Sequence, residues 1–282
     1  MTAATTRLPA PEAVRSRAAS ENFSVASLLL GRRTRDHLLA VYDFARYVDE
    51  LGDSVEGDRI AVLHEAMRQL DLAFAGHATD PVFVELTPTI HACALSREPF
   101  LRLIEANRRD QVHHDYGTWD ELLGYCELSA NPVGELVLEV FGAKTPETLA
   151  LSNDVCTALQ VIEHLQDVGE DARNGRIYLP REHRSEFGVP VDDLHASSAS
   201  EPLRRLVSHE AERARTLLAS GTRLVRALRG RARIAVAGYV GGGRAQLAAL
   251  HDAGYDVLSS TPKASRGQRL RSTTIVLLGA GR

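Results

Sequence analysis

From Val25 onward, apolar residues recur at helical intervals, and almost no segment alternates with a period of two. A chain patterned this way can bury its apolar stripes only by packing helix against helix. Helices are expected over residues 34–51, 58–75, 81–94, 99–111, 119–141, 146–171, 202–228 and 231–253. Prolines at positions 81, 99, 146 and 202 suit the first helical turn, where a missing N–H costs little. Gly142 and Gly254 suit helix ends. Residues 180–200 read as a loop rich in His, Glu and Asp, with an internal Gly-Val-Pro. No repeat of fixed period is present. The economical reading is one all-α domain over 21–258, between a loose Ala/Pro/Arg-rich tail at 1–20 and a basic, poorly packed tail at 259–282.

A length of 282 residues allows one large core or two small ones. The net charge of -4 gives no reason to expect a nucleic-acid partner. Only Lys144 and Lys263 are lysines, so the basic charge is almost all arginine. Arginine forks pair well with phosphate oxygens, although the abundance of arginine and alanine throughout points first to codon bias. Cys93, Cys126 and Cys156 lie far apart without CxxC spacing, which argues against a disulfide framework or a zinc site and for a reducing compartment. The N-terminus lacks a secretory pattern, and the late apolar run at 275–278 falls far short of the ~20 residues that span a bilayer. A cytoplasmic protein is expected, peripheral to a membrane if its substrate is oily. The basic segment 263–271 suits anionic lipid, while a solvated tail is its plainer reading.

Two carboxylate stripes carry the chemistry. Tyr42, Arg46, Asp49 and Asp53 follow steps of four, three and four, so they share one helix face, with Glu50 beside them. Asp49 and Asp53 repel each other unless a cation joins them, although a solvated acidic helix end would show the same spacing. Glu163, Asp167 and Asp171 fall at successive i,i+4 positions, with Gln160 on the same broad face and Glu170 alongside. Leu159, Val161, Ile162 and Leu165 make their surroundings apolar, which argues against a merely wet face.

Acidic stripes on separate helices can converge across a bundle to hold metal. Mg²⁺ takes oxygen ligands, keeps several waters and is commonly completed by substrate phosphates. Two or three Mg²⁺ ions bridging a diphosphate would neutralise its charge as a leaving group and favour C–O heterolysis. A site charged at one end and aliphatic elsewhere suits an isoprenoid diphosphate.

The segments ENFSVAS at 21–27, ARYVDELGD at 45–53, YCELSANPVG at 125–134 and LQDVGEDARNGRIYLP at 165–180 resemble the squalene/phytoene synthase family over nearly the whole chain. ENFSVAS, IEANRRDQ at 104–111, SANPVG and the Gln166-Asp167 pair look like its HpnC-type branch in bacterial hopanoid pathways. The resemblance implies an isoprenoid-synthase helical bundle with a central active-site cavity. It also implies a reaction, presqualene diphosphate and water giving hydroxysqualene and diphosphate, for which no NADPH is needed. The single GGG near Gly241 is no dinucleotide fingerprint, since no strand precedes it.

Carried over residue by residue, the resemblance assigns Asp49, Glu50 and Asp53 to one metal group and Glu163, Asp167 and Asp171 to the other. Arg46, Gln160, Arg173 and Arg176 are implied to bind the diphosphate. Tyr42, Tyr125 and Tyr178, with Arg46, would stand near the reacting centre, where aromatic faces shelter a carbocation. Phe23 and Ser24 would form the substrate rim. Glu50 and Glu163 stand where relatives have Asp and Asn, and Gln166 replaces the arginine of phytoene-type motifs. His164 reads as a satisfied helix histidine rather than a base. Gly243 falls where some relatives have a pocket tyrosine, and the gap is expected to admit the quenching water. Two rival readings stay open. One is condensation of two prenyl diphosphates to presqualene diphosphate or phytoene. The other is a non-catalytic scaffold of the same fold. Pathway enzymes are expected as partners.

Overall fold

Capping residues and prolines fix where the helices begin. In the computed structural model, which describes residues 30–279, Asp58 caps a helix by accepting from Ala61 N at 3.0 Å. Asp80 accepts from Val82 N at 2.9 Å and Thr118 from Glu121 N at 3.2 Å. The resulting helices are α1 (Arg32–Asp53), α2 (Arg59–Phe74), α3 (Pro81–Cys93), α4 (Glu98–Arg109), α5 (Trp119–Ser129), α6 (Asn131–Val140) and α7 (Pro146–Arg173). They continue as α8 (Arg181–Phe187), a 3-10 turn (Val191–His195), α9 (Glu201–Leu218), α10 (Ser220–Ala227), α11 (Gly230–Asp252) and α12 (Arg266–Leu277). No strand occurs among the described residues, only an isolated parallel bridge between Asp115 and Ile177. No helix among them is long and apolar enough to cross a membrane. The expected all-α class holds.

Four boundaries differ from the sequence reading. The helix expected over 119–141 breaks between α5 and α6, because Pro132 lacks an N–H and restricts the residue before it. The helix expected over 202–228 breaks at Ala219, ahead of the weak helix formers Ser220 and Gly221. The loop expected over 180–200 contains α8, which ends at Gly188 in the left-handed region (φ 69°). The tail expected to be poorly packed beyond residue 258 contains α12, started by a capping box between Ser265 and Gln268. Gly241 explains how α12 packs. A Cβ there would lie 2.6 Å from the Thr273 backbone, so the glycine lets the two helix backbones touch.

The chain divides into two compact units, Met1–Val112 with Pro132–Leu149, and His113–Asn131 with Ala150–Arg282. In the first, α1 to α4 enclose a core in which Phe44 meets Phe83 and Phe100 edge-to-face, at centroid distances of 5.6 and 4.9 Å. Burying such a ring contributes ~2–3 kcal/mol, so this cluster fixes how α1 is rotated. In the second, residues 114–117 run beside residues 177–182. Ile177 N donates to His114 O at 2.8 Å, Arg181 N to Tyr116 O at 2.8 Å and Glu182 N to Gly117 O at 3.0 Å. Buried Arg184 closes the same corner, donating to Asp115 Oδ1 at 2.6 Å and Leu179 O at 3.0 Å. The three cysteines are free thiols, and burial pushes the Cys126 thiol up to about 12.

Candidate active site

In the first unit, the core fixes Phe44, Val48 and Leu51 of α1 inward, so Tyr42, Arg46, Asp49 and Asp53 share another face, partly or fully exposed. Asp49 does not stand alone. Asn107 of α4, only 9% exposed, donates through Nδ2 to Asp49 Oδ1 at 3.1 Å and to Leu103 O at 3.2 Å. Gly52 makes room for it, since a Cβ there would lie 2.5 Å from Asn107 Oδ1. One turn on, Gln111 Nε2 donates to Gly52 O and Asn107 O, both at 3.0 Å. Arg46 Nε is buried without a hydrogen-bond partner among the described residues. A desolvated guanidinium N–H of this kind suits an incoming anion.

In the second unit, α7 carries the other stripe. Val161, Ile162 and Leu165 are buried, Asp167 and Asp171 are half-buried, and Glu163 faces solvent. The Asp167 carboxyl rises from its ordinary 3.8 to about 6, first through burial and then through the charges of Glu163, Asp171 and Glu170, with His164 opposing. A hard divalent cation fits this all-oxygen donor set and would relieve the repulsion. Among the described residues, no group of three His, Cys, Asp or Glu side chains converges closely enough to hold an ion alone. Water and ligand oxygens must complete any such shell.

Beside that stripe stands an aromatic wall. The His164 ring stacks on Tyr178 at 3.7 Å with an interplanar angle of 14°. Tyr178 lies 5.7 Å from Tyr116, nearly parallel, and 5.5 Å from Tyr125. His164 Nε2 lies 3.2 Å from Gln160 Nε2, and its Nδ1 lies 3.9 Å from Asp171 Oδ2. The expectation of a satisfied histidine therefore holds. His164, Asp171, Arg176 and Tyr178 also line a cavity of about 10 Å³, room for about one water.

The structure thus brings Tyr125, Gln160, Asp167, Asp171, Arg176 and Tyr178 into one neighbourhood, with Glu163 and Arg173 on the exposed side of α7 and its end. Tyr42, Arg46, Asp49, Glu50 and Asp53 share α1 in the other unit. Phe23 and Ser24 lie outside the described residues. Gln166 anchors the C-terminal segment, donating to Pro262 O at 2.9 Å, and Gln246 donates to the same carbonyl at 2.5 Å. The gap expected at Gly243 is filled. A Cβ there would lie 2.7 Å from Leu159 Cδ2 and 3.1 Å from Leu218 Cδ2, so α11 is already in close contact with α7 and α9. Sequence reasoning assigned no role to Asn107, Gln111 or Tyr116. The i,i+4 pair of Asn107 and Gln111, inside the segment that resembled the family, was the available signal.

Solved structures define the class of protein. The squalene synthase HpnC from Alicyclobacillus acidocaldarius superposes with a TM-score of 0.80 at 46% identity, covering 87% of this chain and 94% of that one. A dehydrosqualene synthase in complex with ligand superposes with a TM-score of 0.84 at 26% identity, covering 94% of each. The fold is that of the all-α isoprenoid synthases. The squalene/phytoene synthase family model matches residues 16–268, and the chain belongs to that family. Among curated relatives, the hydroxysqualene synthase of Zymomonas mobilis is 39% identical over 203 residues, 70% of this chain and 67% of its own. The 15-cis-phytoene synthase of Synechococcus elongatus is 30% identical over 279 residues, 93% of this chain and 89% of its own.

Proposed function

We propose that this chain converts presqualene diphosphate and water to hydroxysqualene and diphosphate, using Mg²⁺ and no nicotinamide, in a reducing cytoplasmic compartment. The observation that carries the reading is the second acidic stripe set beside the aromatic wall of His164, Tyr178, Tyr125 and Tyr116. The relatives named hydroxysqualene synthase, at 34–39% identity, support the choice of reaction.

Asp49, Glu50 and Asp53 would hold one metal group and Glu163, Asp167 and Asp171 the other. Mg²⁺, when bound, would supply the positive charge that makes diphosphate a better leaving group. In the first unit the buried Arg46 Nε–H is assigned to diphosphate oxygen, and in the second Gln160, Arg173 and Arg176 carry the same assignment. The cyclopropylcarbinyl C–O bond breaks, and its electron pair leaves on the diphosphate. Tyr125 and Tyr178 stand near the cation in this reading; His164 covers one face of Tyr178, so Tyr125 and the uncovered side of Tyr178 would shelter the charge and keep bulk water away. A single admitted water adds through oxygen to the rearranged cation, and its proton passes to the departed diphosphate. Phe23 and Ser24 form the substrate rim in this reading.

The second reading, condensation of two prenyl diphosphates, is favoured by the near-complete coverage of the phytoene synthase relative. Purified protein and Mg²⁺ are incubated separately with presqualene diphosphate and farnesyl diphosphate, and products are identified by mass spectrometry. Hydroxysqualene from the first and no turnover of the second is the expected result. Turnover of farnesyl diphosphate would move the chain to the condensing reaction, and silence on both would leave a scaffold.

A further inference from the structure

The helix α8 has only seven residues, too few to stand without outside support. It follows directly on the segment that carries Arg176 and Tyr178, so whatever holds α8 also sets where those two side chains stand. Its anchors all lie in the second unit. Glu182 Oε1 accepts from Trp119 N at 2.7 Å, and Trp119 begins α5, the helix that carries Tyr125. α8 therefore joins two parts of the aromatic wall, Tyr125 through Glu182 and Tyr178 through the chain itself. Arg184 ties it back to Asp115 and Leu179 O, and His183 ties it to α9.

The tie to α9 is chemically unusual. The His183 side chain is 7% exposed, and its Nδ1 lies 2.5 Å from Oε1 of Glu210, which is 1% exposed. The rings of Trp119 and His209 lie 6.2 and 5.2 Å from the His183 ring, and Arg213 covers Trp119 at 4.2 Å. Burial raises the Glu210 carboxyl above its ordinary range, with the His183 hydrogen bond opposing. Glu210 Oε2 is buried with no hydrogen-bond partner among the described residues. Apolar side chains of similar volume often hold two helices as well as such a pair, or better. What the pair adds is direction, because a hydrogen bond fixes one rotation of α8 on α9 where an apolar contact admits several.

We infer that His183 and Glu210 are a positioning pair, which through α8 holds Tyr178 and Arg176 in register with Tyr125. The pair acts through the backbone and not on substrate. The inference rests on the reading that these tyrosines stand at the reacting centre.

The double variant His183→Leu with Glu210→Met replaces the pair by apolar side chains of similar volume. Its melting temperature is expected to match or exceed the parent's. On whichever diphosphate the parent turns over, kcat is expected to fall about tenfold or more, since small misplacements at a reacting centre cost large factors in rate. The amides of Ile177, Arg181 and Glu182, which donate to residues 114–117, should exchange faster at the same time. Glu210→Gln keeps an oxygen opposite Nδ1 and should retain the parent's kcat and exchange. If the double variant does not fold, Glu210→Met alone, assayed well below its own melting temperature, gives the same reading. Failure of the proposed reaction would show in the parent's products and leaves the exchange comparison standing. A folded apolar variant with the parent's kcat, or with the parent's exchange at those three amides, would overturn the inference.

Discussion

Asn107 holds Asp49. The amide Nδ2 donates to Asp49 Oδ1 at 3.1 Å from a side chain that is itself tethered to Leu103 O. Under the proposed function Asp49 holds metal, and losing a hydrogen bond that orients a metal-binding carboxylate typically costs 10–100-fold in metal affinity. Asn107→Leu is therefore expected to raise the Mg²⁺ concentration needed for half-maximal turnover by about that factor. Gly52→Ala should do the same, because its Cβ would displace the Asn107 amide. Mg²⁺ titrations of turnover and calorimetric Mg²⁺ binding with inorganic diphosphate both read this effect. An unchanged Mg²⁺ requirement in both variants would remove Asn107 from the account.

Asp167 carries an electrostatic cost in the metal-free protein. Its carboxyl stands at about 6 in the fold against an ordinary 3.8, so between those values the folded state holds the proton more tightly than the unfolded chain. Ionising it loses stability as pH rises through that window. Asp167→Asn is expected to melt above the parent at pH 7 without metal, with the gain shrinking as pH falls toward 4. The same variant should lose nearly all turnover. Melting curves across pH check the first statement, and a gain that stays constant with pH would contradict it.

His164 acts as one leaf of the aromatic wall. Its ring lies 3.7 Å from Tyr178, so His164→Phe keeps the stack and is expected to cost under about 1.5 kcal/mol. His164→Ala leaves a void behind Tyr178 and should cost about 2–4 kcal/mol. Urea denaturation measures both. Retained turnover in the phenylalanine variant and lost turnover in the alanine variant would identify the ring as packing rather than as a base.

Gly241 and Gly243 are contact points. Gly241→Ala is expected to lift α12 from α11, and faster amide exchange over residues 266–279 would report it. Gly243→Ala presses on Leu159 and Leu218 and should cost about 1–3 kcal/mol. Thermal melts of the two variants separate a local release from a general loss of stability.

The helical class was legible because an apolar stripe repeats wherever a helix covers a core. α8 was not, because it is held by polar anchors: Arg184 on Asp115, and His183 Nδ1 at 2.5 Å from Glu210 Oε1. α12 was missed for a related reason. Its inward face depends on Thr273 fitting over a glycine, and its residues are too polar and basic to show an apolar stripe. The i,i+4 spacing of the carboxylates placed each stripe on one face of α1 or α7, while their metal-binding role came only from the family resemblance. Asn107, near the end of α4, offered only its i,i+4 spacing to Gln111, a pattern that any polar helix face shows. A glycine reads as a gap in sequence, yet at position 243 its missing side chain records close packing.

The central claim is that water quenches a cation formed from presqualene diphosphate. Turnover of presqualene diphosphate in ¹⁸O-labelled water, with Mg²⁺ and without NADPH, tests it most directly. Hydroxysqualene carrying one ¹⁸O in its hydroxyl group is expected, with no product when the metal is chelated. A hydrocarbon product, or an alcohol without the label, would contradict it.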